Sequence, residues 1–429
     1  MALLKKKYVV FVGATRKTIQ EEVLQYITEK SKSWELMVLR GAVKNKADIT
    51  IGEYDCFVDF DDETSIKEWV AKYQDQILCV TARSEKNITY FKKIIPHLPA
   101  DIKVPTVDSL EKSTEKTKMR KAFKKYDPSL IPRFKVIKDI NNINIEEITK
   151  SLEFPVIIKP SGLDSSLLIQ SAHYPEELEE VFASIKKKIG KLYIDKSRKT
   201  TPEILVEEII EGNVYSVDAY VDDSDNVYFT PSVKYYTNPQ KGFDEFFLYE
   251  RAFPKKMNPE KLARGQHVAH EGIRALGLKN TTTHIEMIYT GTEWKIIEIG
   301  PRIGGNRVKL YGQCFGINHA INDLLIHMGK KPVIKTKPIG YMSVLYFFSQ
   351  KEGFITEVRG IKRLQKLGSF YDIDIKLKKG EKALHAKNGG SYVFSATLFN
   401  TDRALLLKDK RTLEKIVHIE TKKQKQKQK

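Results

Sequence analysis

The sequence of 429 residues lacks the long apolar runs that a membrane-spanning helix requires. Its apolar stretches, such as Tyr8–Val12, fall far short of the roughly 18 residues needed to cross a bilayer. Cysteine is also scarce, because the chain holds only Cys56, Cys79 and Cys314, and none has the spacing of a metal ligand or a redox pair. We therefore expect no transmembrane segment, no disulfide framework, and cysteines that are reduced core residues.

The first residues, MALLKKKYVVFVG, place three lysines before an apolar run that is too short for a signal peptide, so we expect a cytoplasmic protein. Lysine and arginine exceed aspartate and glutamate by 18, and five of those charges lie in the last nine residues. Residues 421–429 are therefore predicted to be a disordered basic tail. No basic helix or aromatic-basic ladder occurs elsewhere, which argues against a nucleic-acid partner.

The first hundred residues alternate short apolar runs with amphipathic segments. Four runs are predicted strands: Tyr8–Val12, Glu35–Leu39, Cys56–Phe60 and Ile77–Val80. This βαβ pattern predicts an α/β domain with a parallel sheet over residues 1–108. The first turn has one glycine and lacks GxGxxG, which favours a structural turn over dinucleotide binding.

Residues 109–331 are expected to form a second domain that begins with a linker helix near residues 108–126. The segment 154–160 ends in Lys159-Pro160, which is typical of a strand that delivers a lysine at its end. A strand over 203–206 leads into Glu207-Glu208. Strands over 214–221 and 227–230, and a helix over Pro259–Leu276, are also predicted, with an aromatic-rich loop around 235–247. Residues 332–420 are predicted to be a third, β-rich domain.

The segment 284–299 is the most informative in the chain. Ile285–Tyr289 and Trp294–Ile299 are predicted strands, and a three-residue loop at 291–293 would place Glu286 opposite Glu298 on one face. Two facing carboxylates repel each other unless a cation lies between them, and Mg²⁺ prefers such oxygen ligands. A solvated surface hairpin is the alternative explanation for this pair.

The residues after Glu298 point to an anion site next to that pair. Arg302, Asn306 and Arg307 lie on the glycine-rich turn Gly300-Pro-Arg-Ile-Gly-Gly-Asn-Arg. Arginine binds phosphate or carboxylate oxygens bidentately. The histidines provide no rival metal site, since His267 and His270 lie three apart without an evident third ligand. His284 is expected either to contact substrate or to pack.

The order of these motifs resembles the ATP-grasp superfamily of carboxylate–amine ligases, most closely the L-amino-acid ligase type. The motifs are a helix-borne lysine, a strand-ending Lys-Pro, a Glu-Glu hinge, and a hairpin glutamate followed by Glu-x-x-x-Arg, spread over essentially residues 1–420. The resemblance implies an ATP-grasp fold preceded by a Rossmann-like α/β domain and followed by a β-rich domain. It also implies ATP as substrate and Mg²⁺, or Mn²⁺ in its place, as the metal.

The resemblance also assigns roles to residues. It implies that ATP is bound by Lys116 or its neighbour Lys118, Lys159, Ser165, Ser166, Glu207, Glu208 and Ile210. It implies that the metal is held by Glu286 and Glu298, and that catalysis involves Arg302, Asn306 and Arg307. Three departures from the usual pattern are the glycine-poor loop 161–166, Val214 at a ribose-binding position and Gly300 in place of an asparagine ligand.

The implied reaction joins a small-molecule carboxylate to an amine through an acyl phosphate, releasing ADP and phosphate. An ATP-dependent carboxylase and a nucleotide-binding protein without ligase activity are the alternatives. No membrane partner is expected, and a homodimer is the usual default for symmetric association.

Overall fold

The computed structural model describes residues 6–42, 52–161, 168–195, 202–237, 248–254, 256–384 and 391–423. Across those ranges no helix combines the length and apolar character needed to cross a membrane.

The N-terminal domain is built on a parallel sheet, as the βαβ pattern predicts. Its strands are β1 (Lys7–Val12), β2 (Trp34–Gly41), β3 (Asp55–Val58) and β4 (Ile77–Thr81), in the order β3-β2-β1-β4. Its helices are α1 (Lys17–Lys30), α2 (Glu63–Tyr73) and α3 (Glu85–Ile94). Buried apolar side chains cover both sheet faces, which is why these strands are nearly continuous apolar runs.

Two helices replace the single predicted linker helix. They are α4 (Val107–Thr114) and α5 (Lys116–Tyr126), and Glu115 between them is extended, with φ −110° and ψ 109°. The Glu115 N–H caps the end of α4 by donating to Glu111, while its carbonyl accepts the first hydrogen bond of α5 from Met119. The α5 helix buries Met119 and Phe123 with Arg120 between them.

A four-stranded antiparallel sheet follows. Its strands are β5 (Phe134–Ile137), β6 (Val156–Pro160), β7 (Gln170–Ala172) and β8 (Ile204–Glu208), in the order β5-β8-β6-β7, and its helices are α6 (Ile145–Ser151) and α7 (Leu178–Asp195). Glu207 pairs with Ile157, two residues before Lys159 on β6. Because side chains two apart on a strand share a face, Lys159 and Glu207 project from the same face.

The central sheet holds nine strands within the described residues. Its first strands along the chain are β9 (Asn213–Val221), β10 (Val227–Phe229), β11 (Val233–Thr237), β12 (Leu248–Phe253), β13 (Thr281–Tyr289), β14 (Trp294–Gly300) and β15 (Tyr341–Phe347). The helices in this part of the chain are α8 (Pro259–Leu276), α9 (Arg307–Phe315) and α10 (His319–His327). The predicted helix over Pro259–Leu276 is confirmed. The predicted loop at 235–247 is wrong in its first part, because Val233–Thr237 pairs with both β9 and β12; residues 238–247 lie outside the described residues.

The C-terminal region is β-rich, as predicted. It contributes β16 (Gly353–Arg359), α11 (Ile361–Leu364), β17 (Phe370–Ile375), β18 (Lys382–Ala383), β19 (Phe394–Asn400), α12 (Arg403–Ile416) and β20 (His418–Lys422). The central sheet runs β14-β13-β9-β11-β12-β15-β19-β17, so it continues across the expected boundary at residue 332. The strand β20 pairs with β16 up to Lys422, which shortens the predicted tail; residues 424–429 lie outside the described part of the chain.

The two faces of the central sheet differ in character. One face packs on α5 and α8 through an apolar cluster that includes Tyr215, Val217, Ile285, Met287, Trp294 and Ile296. The other face is polar near β13 and β14 and becomes apolar beneath α9, where Val233, Phe253 and Tyr311 pack. We call the polar part of that second face the site face.

Candidate functional site

The two predicted metal ligands face each other across the β13–β14 hairpin. Glu286 pairs directly with Glu298. The predicted three-residue loop is wrong, because Tyr289 pairs with Trp294 around a four-residue turn. A bulge at Ile297 shifts the register back by one residue, so the two deviations cancel. The facing arrangement is therefore present, although the loop that produces it differs from the predicted one.

Glu286 and Glu298 have different surroundings. Oε1 of Glu286 accepts from the Tyr235 hydroxyl at 3.1 Å and lies 3.3 Å from Nε2 of His284. Burial raises the pKa of Glu286, but the His284 hydrogen bond and the charges of His284, Arg251 and Arg307 outweigh it and hold the pKa at about 2. Glu298 is half-buried and makes no hydrogen bond or ion pair with any described residue.

This donor set fits a hard divalent cation. Two carboxylates lie on one face, Oε2 of Glu286 has no partner among the described residues, and Glu298 has none on either oxygen. No cluster of three or more potential ligands exists in the described ranges. The pair therefore suits Mg²⁺, which takes one or two carboxylates and completes its shell with phosphate oxygens and water.

A buried aspartate organises the residues beneath the pair. Asp218 is completely buried, and its carboxylate lies 2.6 Å from Nδ1 of His284 and 2.7 Å from Nε2 of His319. It also accepts from the Gly304 N–H at 2.9 Å. Burial raises the pKa of Asp218, but the two histidines outweigh it and hold the pKa far below its usual value. His284 packs between Asp218 and Glu286.

Gly304 explains part of the glycine-rich turn. A Cβ built at this position would lie 2.3 Å from Nδ1 of His284, which no real structure tolerates. The turn can reach Asp218 only because residue 304 has no side chain.

The three predicted catalytic residues occupy different environments. Arg307 is completely buried and donates to Ser216 Oγ at 2.5 Å and to the Tyr235 hydroxyl at 2.7 Å. This placement favours a role in positioning Tyr235 over direct contact with substrate. Asn306 has a left-handed backbone, with φ 64°, and its amide donates to the Tyr346 hydroxyl at 3.1 Å.

Arg302 is half-buried at the start of the same turn. Its Nη2 lies 3.6 Å from Oε1 of Glu85, the first residue of α3, and its Nη1 donates to the Ile303 carbonyl at 3.2 Å. Arg302 is thus positioned between the N-terminal domain and the β13–β14 hairpin.

A second charged group lies where α5 meets the four-stranded sheet. Glu207 is completely buried and accepts from Lys159 at 2.5 Å and from Nε of Arg120. Burial raises the pKa of Glu207, but Arg120 and Lys159 outweigh it and lower the pKa to about 2. Nη2 of Arg120 also donates to the carbonyl of Ile297, the bulged residue of the hairpin, at 2.7 Å. One arginine therefore connects the Glu207 carboxylate with the β13–β14 hairpin.

Arg120 was missed by the sequence argument. It lies one helical turn after Lys116 and between the apolar residues Met119 and Phe123, so its place on the buried face of an amphipathic helix was a usable signal. Lys116 is the first residue of α5 and is half-buried, whereas Lys118 forms ion pairs with Glu111 and Glu115.

The predicted hinge residues follow β8. The Glu208 carboxylate lies 2.7 Å from Nε of Arg133, so it faces away from the Glu207 group. The main chain of Ile210 makes no hydrogen bond with the described residues, which leaves its N–H available to a ligand. Ser165 and Ser166 lie outside the described residues.

Comparison with known proteins identifies the domain. Residues 152–309 match the family model described as ATP-grasp domain. This span contains Lys159, Glu207, Glu286, Glu298 and Arg302. Residues 152–309 therefore form an ATP-grasp domain, which confirms the resemblance to the ATP-grasp superfamily.

Two curated proteins and a solved structure are similar to the chain. The uncharacterized protein y4rH of Sinorhizobium fredii is 21% identical over 237 residues, which cover 55% of this chain and 47% of that protein. D-alanine–D-alanine ligase B of Chromobacterium violaceum is 24% identical over 150 residues, which cover 35% of this chain and 44% of that enzyme. The chain thus matches less than half of either relative.

The solved structure covers more of the chain. The crystal structure of an L-amino acid ligase from Bacillus licheniformis superposes with a TM-score of 0.72 at 16% identity, covering 98% of this chain and 100% of that one. At this identity the likeness shows the fold alone: an ATP-grasp fold with an α/β domain before it and β-rich structure after it.

Proposed function

We propose that this protein is an ATP-dependent ligase that joins a carboxylate to an amine through an acyl phosphate, releasing ADP and phosphate. The observation that carries the proposal is the acidic hairpin, where Glu286 faces Glu298 and Glu298 has no partner among the described residues. The match to an ATP-grasp domain over residues 152–309 supports the same reading.

The nucleotide is proposed to bind between α5 and the four-stranded sheet. Lys159 and Lys116 would contact phosphate oxygens, and the free N–H of Ile210 would contact the adenine ring. The family resemblance implies that Glu207 contacts ATP. Because each of its oxygens already accepts from a cation, we propose that it mainly positions Lys159 and Arg120. Arg120 then joins the proposed nucleotide site.

Glu286 and Glu298 would hold Mg²⁺. When bound, the metal would neutralise the charge of the terminal phosphates of ATP. The protein's part is to keep the Glu286 carboxylate ionised and to hold it opposite Glu298. His284 and Tyr235 fix one oxygen of Glu286, and Asp218 fixes His284.

The proposed reaction has two steps. A carboxylate oxygen of the first substrate attacks the γ-phosphorus of ATP, and the bond to the β-γ bridging oxygen breaks to give ADP and an acyl phosphate. The amine nitrogen of the second substrate then attacks the acyl carbon, phosphate leaves with its oxygen, and the nitrogen loses a proton. Arg302 would stabilise the oxyanion of the tetrahedral species, and losing one such donor typically costs about 10²–10³ in rate.

The proposal is tested by ADP release from Mg·ATP with pooled amino acids and small carboxylates. We expect ADP release that requires a component of the pool. In Glu298→Gln the rate of this release should fall at least about 10²-fold, the usual cost of losing one transition-state contact. The matched control is Glu293→Gln in the turn of the same hairpin, where the side chain is 55% exposed and, among the described residues, pairs with Lys295 alone. Release that persists in Glu298→Gln would contradict the metal assignment. ATP binding without stimulated release from any pool would favour a nucleotide-binding protein without ligase activity.

A further inference from the structure

A groove lies in the C-terminal region, between a three-stranded sheet ordered β18-β16-β20 and the β17–β19 pair of the central sheet. Its cavity has a volume of about 580 Å³, which is within the range of ligand-binding clefts. The lining comes from residues 356–422, so all of it follows the ATP-grasp match at 152–309. We call this feature the C-terminal groove, and no step of the proposed ligase reaction uses it.

Apolar side chains form the floor of the C-terminal groove. Val393 and Phe394 line it near the start of β19 and are almost completely buried, whereas Leu377 is half-buried. Ile375, the last residue of β17, keeps 47% of its surface exposed. An exposed isoleucine that continues a buried apolar surface is the kind of patch that a partner covers. The groove therefore suits a ligand that presents apolar groups.

Positive charge surrounds this floor. Three exposed lysines line the groove without an ion pair to any described residue: Lys378, Lys379 and Lys422. The carboxylates in the lining, Glu357 and Glu420, both contact Nη2 of Arg359, at 2.8 and 3.2 Å. The charge of Lys379 also acts on Glu357. Because Arg359 already binds both carboxylates, the three lysines leave the groove with a net attraction for anions.

The charge of the whole C-terminal region has the same sign. Residues 332–429 contain 22 lysines and arginines against nine aspartates and glutamates, so they carry 13 of the 18 excess positive charges of the chain. Residues 424–429 alone hold three lysines, which makes them a poor occupant for a lysine-lined groove. A second copy of the chain carries the same positive excess. Charge complementarity therefore points to an acidic partner.

The lining favours a polypeptide over a nucleic acid. Single-stranded nucleic acids stack their bases on exposed aromatic rings. Phe394 is the one aromatic residue in the described lining, and it is completely buried. Two of the lining strands, β17 and β20, are edge strands of their sheets within the described residues. The main chain of an edge strand can pair with an extended polypeptide segment.

We propose that the C-terminal groove binds an acidic segment of a partner protein. Aspartates or glutamates of that segment pair with the three lysines, and its apolar side chains cover Ile375 and Leu377. Binding at this surface does not depend on ligase activity, so failure of the proposed reaction leaves it standing.

Binding is measured by fluorescence anisotropy with a labelled heptapeptide, Asp-Glu-Val-Ile-Val-Glu-Asp, whose apolar centre matches the floor and whose acidic ends match the lysines. One comparison peptide has lysine at the four acidic positions, and another has serine at the three apolar positions. A thymidine pentanucleotide supplies the same four negative charges as phosphates. At about 0.15 M salt, where long-range attraction is screened, the acidic–apolar peptide should bind at least about 10-fold more tightly than each of the three.

Variants of the full chain locate the binding. Lys378→Glu combined with Lys379→Glu should weaken binding of the acidic–apolar peptide at least about 10-fold, because two attractions become repulsions. Ile375→Thr keeps a β-branched side chain and should weaken it about 3-fold, since apolar contact is lost. The matched control is Lys408→Glu combined with Lys415→Glu, two exposed lysines of α12 outside the groove lining, and it should retain the affinity.

Four results would overturn the proposal. The acidic–apolar peptide could bind no better than its lysine or serine counterpart. The α12 control could weaken binding as much as the groove variant, which would indicate attraction by net charge alone. Tighter binding of the pentanucleotide would make the partner a nucleic acid. Sedimentation velocity provides the fourth, since a wild-type dimer that Lys378→Glu with Lys379→Glu abolishes would make a second copy the occupant.

Discussion

The same strands form both faces of the central sheet, but one face packs against helices and the other carries the polar residues of the candidate site. On β13, Ile285 and Met287 point into the apolar cluster under α5 and α8, while His284 and Glu286 point to the site face. On the apolar face, stability depends only on side chains whose volume and shape fill the space under the helices. On the site face, Asp218, His284 and Arg307 have hydrogen-bond partners, whereas Glu298 has none among the described residues. Packing of the apolar face thus keeps the strands rigid, and the rigid strands hold a few unpartnered charged side chains in place on the site face.

The largest expected effect is at the centre of the site face. Asp218→Ala leaves His284, His319 and Arg307 without their shared anion, so the free energy of unfolding should fall by about 3–5 kcal/mol. Denaturant unfolding of the purified protein measures this. A loss below about 1 kcal/mol, the usual worth of one ordinary hydrogen bond, would mean that Asp218 does not organise this face.

Arg120→Met should destabilise the protein by about 3 kcal/mol at neutral pH, because buried Glu207 keeps only Lys159. The lowered pKa of Glu207 means that its charge stabilises the wild-type protein above its ordinary pKa of 4.5, and that this contribution is lost as pH falls toward about 2. The difference between wild type and variant should therefore be the same at pH 7 and pH 5, and it should shrink when unfolding is measured at pH 4 and pH 3.

A double variant sharpens that test. Glu207→Gln combined with Arg120→Met removes the unpaired charge, so it should recover part of the stability that Arg120→Met loses. A double variant less stable than Arg120→Met would contradict the ion-pair explanation.

A substitution on the apolar face should behave differently. Ile296 is completely buried against α8, so Ile296→Val should cost about 0.5–1.5 kcal/mol. The loss should be the same from pH 4 to pH 7, since no titratable group is involved. A pH-dependent loss would mean that the two faces are coupled.

The smallest expected stability effect is at Glu298. This side chain has no partner among the described residues and faces Glu286, so Glu298→Gln should change the free energy of unfolding by less than about 0.5 kcal/mol. The same variant is expected to lose ADP release. A marked loss of stability would indicate a structural role for Glu298.

Much of the fold was predictable because it depends on local pattern. Apolar runs indicated the four N-terminal strands, and a proline at the first turn and a glycine after the last marked the helix Pro259–Leu276. The continuation of the central sheet into β15, β19 and β17 was not predictable, since strand neighbours are set by long-range packing.

The site was predictable where a motif is contiguous and not where it depends on tertiary contact. Glu286, Glu298 and Arg302 lie within 17 residues of each other along the sequence. By contrast, Asp218 and Arg120 acquire their roles from partners far away in the chain, and the bulge at Ile297 is visible only in the paired strands. Arg307 lies on a turn in the sequence pattern, but the fold buries it completely.

The most direct test of the proposed ligase is the fate of a carboxylate oxygen. A substrate identified by ADP release is labelled with ¹⁸O in its reacting carboxylate, and the released phosphate is analysed by mass spectrometry. Transfer of one ¹⁸O atom to each phosphate is the predicted result, because that oxygen attacks the γ-phosphorus and leaves with it. Phosphate that carries no label would show that the carboxylate is not activated by ATP and would contradict the proposed mechanism.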